Sequence, residues 1–152
     1  MSTVIKNNFR CLEEFKAIWI TDKIDKIGID YLENFGYFLC DKKRIDDKRP
    51  GHNAVTTSQM RNLFSEIKRI ELKLNDDNYD WKTAFLLLRP KIAYNAARVL
   101  GKDRRSSYSR IKELKLVLEQ AHRAVEEKEH FVNFSKFTEG IIAYHKVYGG
   151  KN

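Results

Sequence analysis

An all-α fold, a compact antiparallel bundle of five to six helices, is what this sequence predicts, on three observations. Apolar residues recur at helical spacing almost throughout the 152 residues, and no period-two segment is flanked by turn signals. Only two prolines and seven glycines punctuate the chain. Hydrophobic residues make up 42% and charged residues 33%, which suits one core under a heavily solvated surface. The expected organisation is a single domain over 1–152. Residues 1–55 form an N-terminal helical region with a polar loop, and 56–151 form a helical core.

The elements follow in order. A first helix is expected from Leu12 to Ile20, with Leu12, Phe15, Ala17 and Trp19 partly buried. A second covers about Asp30 to Asp41, with Tyr31, Phe35, Phe38 and Leu39 as its apolar side. The stretch KKRIDDKRPGHN that follows is polar and has little with which to hold itself in place. Thr56 opens a third helix. Gln59, three residues on, completes a capping box, in which each side chain satisfies the other residue's free backbone N–H. Met60, Leu63, Phe64, Ile67, Ile70 and Leu74 are its core stripe. Asp80 can cap a fourth helix, which Pro90 either kinks or restarts. Gly101 closes it. A fifth begins at about Ser107, with Ile111, Leu114, Leu118, Ala121 and Val125 inward. The sixth runs from about Glu129 to Tyr148 and stops at Gly149-Gly150.

Lys91, Tyr94, Asn95, Arg98 and Lys102 stand at i, i+3, i+4, i+7 and i+11, so they share one helix face. That face carries three cations, a ring and an amide, and no acid. Leu88, Ile92, Ala96 and Val99 form the opposite, inward stripe. From Arg89 to Lys112 the chain holds eight Lys/Arg against a single acid, Asp103. Formal net charge is +8 and is unevenly spread. Residues 1–47 carry eight bases and nine acids, and residues 48–152 carry twenty-one and twelve. Such a concentration of charge calls for an anionic partner, and a backbone phosphate is the natural one.

Catalytic chemistry is hard to build from these residues. Glu119-x-x-His122 and Glu127-x-x-His130 match di-iron bundle spacing, but both lie along one stretch, whereas that site draws its motifs from different helices. Asp76-x-Asn78-x-Asp80 begins like a calcium loop, yet Trp81 and Leu87 occupy its glycine and bidentate glutamate positions. His145 has no cysteine or serine nucleophile near it in sequence. No glycine-rich phosphate loop is present. Catalytic residues, metal and cofactor are therefore all expected to be none. Cys11 and Cys40 are too few for a disulfide framework and read as buried thiols. No apolar run reaches membrane-spanning length, and the expected location is cytoplasmic.

Three segments in register, TTSQMRNLF (Thr56 to Phe64), LRPKIAYNAAR (Leu88 to Arg98) and FVNFSKFTEGIIAYHKVYGGK (Phe131 to Lys151), resemble the small helical subunit of the type III-A CRISPR effector, the Csm complex. The resemblance covers about two-thirds of the chain. It implies a non-catalytic subunit of an antiviral defence assembly, with several copies stacked head-to-tail beside the guide RNA and target RNA. Basic residues would then contact RNA backbone, while cleavage would belong to other subunits. Arg61, Arg89 and Arg98 lie inside the resembling segments. Lys68, Arg69, Lys91 and Lys102 join them on the helical-face argument. One departure is Gly140, where alanine is expected and glycine weakens the helix.

Each residue also has a plainer role to weigh. The cations would serve equally as a solvated helix face. Tyr94 is expected to pack between helices with its hydroxyl bonded, and stacking on a base or ribose is the competing reading. Self-association is expected through Tyr144, His145, Lys146 and Tyr148 at one end, and through Trp19, Tyr31, Tyr37 and Phe38 at the other. An adaptor that binds an acidic protein is the alternative function. A helix-turn-helix DNA binder is a third and would need side chains aimed at base edges.

Overall fold

The computed structural model describes residues 4–101 and 109–149. Among them the helices are α1 (Cys11–Glu14), α2 (Ile18–Thr21), α3 (Lys26–Leu39), α4 (Thr57–Lys73), α5 (Trp81–Leu86), α6 (Leu88–Leu100), α7 (Ile111–Arg123) and α8 (Lys128–Val147). Five of these are long. The others are one or two turns each and act as connections. None of the described helices is long and apolar enough to cross a membrane.

The expected first helix is divided. Phe15 caps α1 in an extended conformation, φ −65° and ψ 137°. The break lets α1 lie on α7 while α2 lies on α8. Phe15 drops between them, its ring 5.5 Å from Phe137 and 6.0 Å from Trp19. Tertiary packing of one aromatic residue thus overrides local helical spacing, and Ala17, expected inside, is exposed. The second helix starts four residues earlier than expected. Asp25 caps it, accepting a hydrogen bond from Gly28 N at 2.8 Å.

The polar loop after α3 closes back on its own helix. Gly51 N donates to Cys40 O at 2.8 Å, and Val55 N donates to Leu39 O at 2.9 Å. Asp41, in the left-handed region at φ 51°, accepts from Asn53 N at 2.9 Å and pairs with Arg110 at 3.1 Å. Arg110 also lies 4.1 Å over the Phe38 ring. Side-chain anchors therefore replace the apolar residues the loop lacks.

The capping box of α4 forms as expected: Thr56 Oγ1 accepts from Gln59 N at 3.0 Å, and Gln59 Oε1 accepts from Thr56 N at 2.9 Å. Pro90 restarts rather than kinks. It sits third in α6, where its missing N–H would have had no intrahelical partner. The fifth helix begins at Ile111; the expected start near Ser107 lies outside the described residues.

Neighbouring long helices alternate in direction. Asn62 meets Asn95, and Glu66 meets Lys91, so α4 and α6 are antiparallel. Lys68 meets Glu139 and Glu71 meets Ser135, so α4 and α8 are antiparallel too. Five alternating helices bring the first and last into the same direction. Accordingly α3 runs parallel to α8: Tyr31 stacks on Phe137, Leu32 meets Gly140, and Gly36 meets Tyr144.

That pair packs closely because of two glycines. A Cβ on Gly36 would lie 2.5 Å from Tyr144 Cβ and 2.7 Å from His145 N. One on Gly140 would lie 2.5 Å from Leu32 Cδ1, which is the physical reason for the departure seen in the sequence. The core around this pair takes Trp19, Ile20, Tyr31 and Phe35 from the first forty residues and Phe131, Phe134, Phe137 and Ile141 from α8. Tyr31 Oη donates to Cys11 O at 2.6 Å. Both cysteines are buried and free, and burial pushes their thiols up, to about 12 for Cys11 and about 11 for Cys40.

The two glycines should respond differently to alanine. Helix propensity favours the substitution by about 1 kcal/mol, while overpacking opposes it by about 1–3 kcal/mol. Gly36→Ala meets backbone, which cannot move aside, so it should lower the urea midpoint. Gly140→Ala meets the end of a flexible side chain and should change the midpoint by less. Equal midpoints for the two variants would mean that the α3–α8 contact is looser than described.

Candidate nucleic-acid interface

The proposed cations depend on how α4 is held. Its inward stripe of Met60, Leu63, Phe64, Ile67 and Ile70 is buried, which leaves two outward flanks. One faces α6 and the other faces α8, and a groove lies along each. The α4–α8 groove, about 170 Å³, has an apolar floor including Phe64 and Ile142 and a rim of Arg61, Lys68 and Lys146. On the α6 side, Thr56, Ser58, Gln59, Asn62, Asn95 and Arg98 line a polar hollow of about 260 Å³. Farther along, Asn62, Ser65, Glu66, Pro90, Lys91 and Tyr94 line a shallow, more apolar groove of about 370 Å³.

The predicted residues divide by their partners. Arg61 and Arg98 are exposed, and neither has an acid within ion-pair distance among the described residues. Lys68 is held by Glu139 and, at 3.6 Å, by Glu71; its hydrogen bond to Glu139 raises its pKa above the ordinary lysine value. Arg69 and Lys91 both reach Glu66, at 3.3 and 3.2 Å. These exposed pairs are worth little as stability, since solvent screens them and holding long side chains in place costs entropy. Their effect is local, cancelling charge where an outside anion would sit. Lys102 lies outside the described residues.

Arg89 is the exception. It turns towards α7, half-buried, with Nη2 at 3.4 Å from His122 Nδ1. His122 Nε2 lies 2.6 Å from Phe85 O, and the imidazole stacks on the Phe85 ring at 3.9 Å. Arginine can only donate, so Nδ1 accepts and Nε2 carries the proton to the carbonyl. His122 is therefore neutral, and burial, with Arg89 adding to it, holds its pKa below the ordinary histidine value. The arginine belongs to this packing more than to the outer face, and the Glu119-x-x-His122 spacing is explained by a core histidine.

Tyr94 differs from expectation. Its ring is 65% exposed, with the Arg98 guanidinium 5.9 Å from the ring centroid. One turn beyond Lys91 on the outer face of α6, it borders the groove towards α4 and stays mostly uncovered. Asn95 does pack across, donating to Asn62 O at 3.2 Å. Lys146 was missed as a neighbour of Arg61. No sequence pattern links them, because only the antiparallel α4–α8 pairing brings them to one rim.

The surfaces expected for self-association are largely taken up within the chain. Trp19 and Tyr31 are in the core. His145 is buried, with Nε2 at 2.7 Å from Val55 O. Tyr148 donates to Glu33 at 2.5 Å and packs edge-on to Tyr37. The calcium-like segment forms turns: Asp76 accepts from Asn78 N at 2.9 Å, and Asp80 caps α5 through Thr83 N at 3.1 Å.

The sequence model described as Csm2 Type III-A matches residues 44–151. The chain belongs to the Csm2 type III-A family. It is a small subunit of the type III-A Csm effector complex. A relative from Streptococcus thermophilus, the CRISPR system Cms protein Csm2, is 25% identical over 119 residues, spanning 71% of this chain and 84% of the relative. No solved structure matches. All seven cations lie within the family match, whereas α1, α2 and α3 lie before it. In the fold those three helices supply one side of the core that supports α8.

Two outcomes follow from this arrangement. Arg61→Ala combined with Arg98→Ala should leave the unfolding free energy from urea titration within about 0.5 kcal/mol of the parent, whereas Arg89→Ala should cost about 1 kcal/mol or more by disturbing the His122 packing. A large loss in the double variant would make those two arginines structural.

Stability should also fall with acid. His122 and His145 have folded pKa values held below 6.5, chiefly by burial. An unfolded histidine takes a proton near 6.5, and the folded ones take theirs at lower pH. The unfolded state then binds more protons between those values, so the histidine contribution is complete above about pH 7 and declines as pH falls below about 6.5. Urea midpoints at pH 7.5 and 5.5 should differ in that direction, and replacing both histidines with glutamine should flatten the difference.

Proposed function

We propose that this chain is the non-catalytic, RNA-binding small subunit of its Csm complex, with several copies stacked along the guide–target RNA in the cytoplasm. In this reading the whole chain acts as one domain. α4 and α6 carry the contacting residues, and these touch phosphate and ribose without reading sequence. Sequence choice is left to guide–target pairing.

The observation that carries this reading is the pair of exposed arginines, Arg61 and Arg98, each without an acidic partner among the described residues, on the two flanks of α4. A guanidinium presents a planar fork that matches phosphate. Lys68, Lys91 and Arg69 are held by carboxylates that an incoming phosphate can replace. The net charge of +8, concentrated after residue 47, agrees with a polyanionic partner. Self-stacking would bring one copy's cations into line with the next. Each head-to-tail contact can be weak, because RNA and the other subunits hold neighbours at high effective concentration.

Titration of single-stranded RNA into the purified subunit tests the reading. Binding should be weak and sequence-tolerant and should fall steeply with salt, with each phosphate contact adding about 0.7 to the log–log slope. Arg61→Ala with Arg98→Ala should reduce both affinity and slope without unfolding the protein. Salt-insensitive binding, or strong preference between unrelated RNA sequences, would contradict backbone contact. Equal competition by an acidic polypeptide would favour an adaptor for an acidic protein.

A further inference from the structure

The geometry points to a single-nucleotide subsite in the α4–α6 groove: Tyr94 stacks on an unpaired RNA base while Lys91 and Arg69 take the adjoining phosphate from Glu66. The inference rests on the RNA-binding reading above and specifies which parts of the RNA are held at this place.

Glu66 marks an anion position that the fold itself has filled. Its carboxylate receives Arg69 from the same helix at 3.3 Å and Lys91 from α6 at 3.2 Å. Two cations from two helices converge there on one negative group. A backbone phosphate offers the same single charge on two non-bridging oxygens, so it can exchange for the carboxylate and keep both cations satisfied. Glu66 is also the acid that lines this groove among the described residues. It therefore weakens phosphate entry in two ways, by occupying the cations and by repelling the newcomer.

Tyr94 lies one helical turn beyond Lys91 on the same side of α6. An aromatic ring 65% exposed, beside a guanidinium and above a groove of about 370 Å³, offers a stacking surface next to a phosphate position. A base inside a duplex has both faces covered by its neighbours, so an internal base that meets Tyr94 has left the stack and is unpaired. Stacking tolerates any base, because every base has a π-face. This agrees with contact that does not read sequence.

The test uses fluorescence anisotropy of the full chain with three probes of equal charge: a labelled single-stranded RNA, the same oligomer with abasic positions, and a blunt RNA duplex. Tyr94→Leu should weaken single-stranded RNA about fivefold or more, and Tyr94→Phe should restore binding. The salt slope should not change in either variant, because no phosphate contact is removed. Parent protein should bind the abasic oligomer more weakly than RNA, and Tyr94→Leu should bind the two alike. The duplex should be indifferent to Tyr94. Glu66→Gln should tighten the single-stranded RNA and the abasic oligomer, and weaker binding by that variant would overturn the displacement step. Equal binding of RNA and abasic oligomer by the parent protein overturns the stacking, whatever the folding of any variant. If salt-dependent RNA binding persists while Tyr94→Leu is neutral, the subsite alone falls. If no RNA binds at all, the functional reading falls with it.

Discussion

Close parallel packing of α3 on α8 is the contact on which the other features of this molecule depend. It requires bare backbone at Gly36, where any side chain would meet Tyr144 and His145 main chain. With α8 seated, its opposite flank positions α4 through Lys68–Glu139 and Glu71–Ser135. α4 in turn positions α6. The candidate interface is thus set at third hand by a glycine far from it in sequence. Charges on the outer face add little to stability, and the core adds no charge to the face, so the two can vary separately.

The outer face contains more cations than are open to a ligand. Glu66, Glu71 and Glu139 hold Lys68, Arg69 and Lys91 in place. This compensates part of a strongly basic surface within the chain, and of the predicted cations among the described residues it leaves the exposed Arg61 and Arg98 without an acid. Such a face favours a long polyanion that can replace several carboxylates in turn over a small anion that can replace one. Arg89, in contrast, has been drawn inward by the stacked His122–Phe85 pair.

Much of the fold could be read from sequence because its signals are local. The Thr56–Gln59 capping box, the stripe from Met60 to Ile70 and the Gly101 and Gly149 stops need no tertiary information. The expected first helix is divided because Phe15 packs on Phe137, 122 positions away, and that packing breaks the local turn. The site was legible as a face and not as a set of contacts. Spacing places Lys91, Tyr94 and Arg98 together on α6. It cannot tell which of them an acid on another helix has engaged, that Arg89 turns under, or that Tyr94 stays uncovered. Those depend on the crossing of α4 with α6 and of α6 with α7.

The α3–α8 pairing also has a consequence for how the chain is made. Leu32 and Gly140, which meet in that contact, are 108 positions apart. At about 5–20 residues per second on a ribosome, the partner of α3 is completed roughly 5–20 seconds after α3 itself. Through that interval Trp19, Tyr31 and Phe35 have no α8 to cover them. The first forty residues are the most aromatic side of the core and the last to be enclosed, so a nascent chain carries a sticky surface until its final helix emerges.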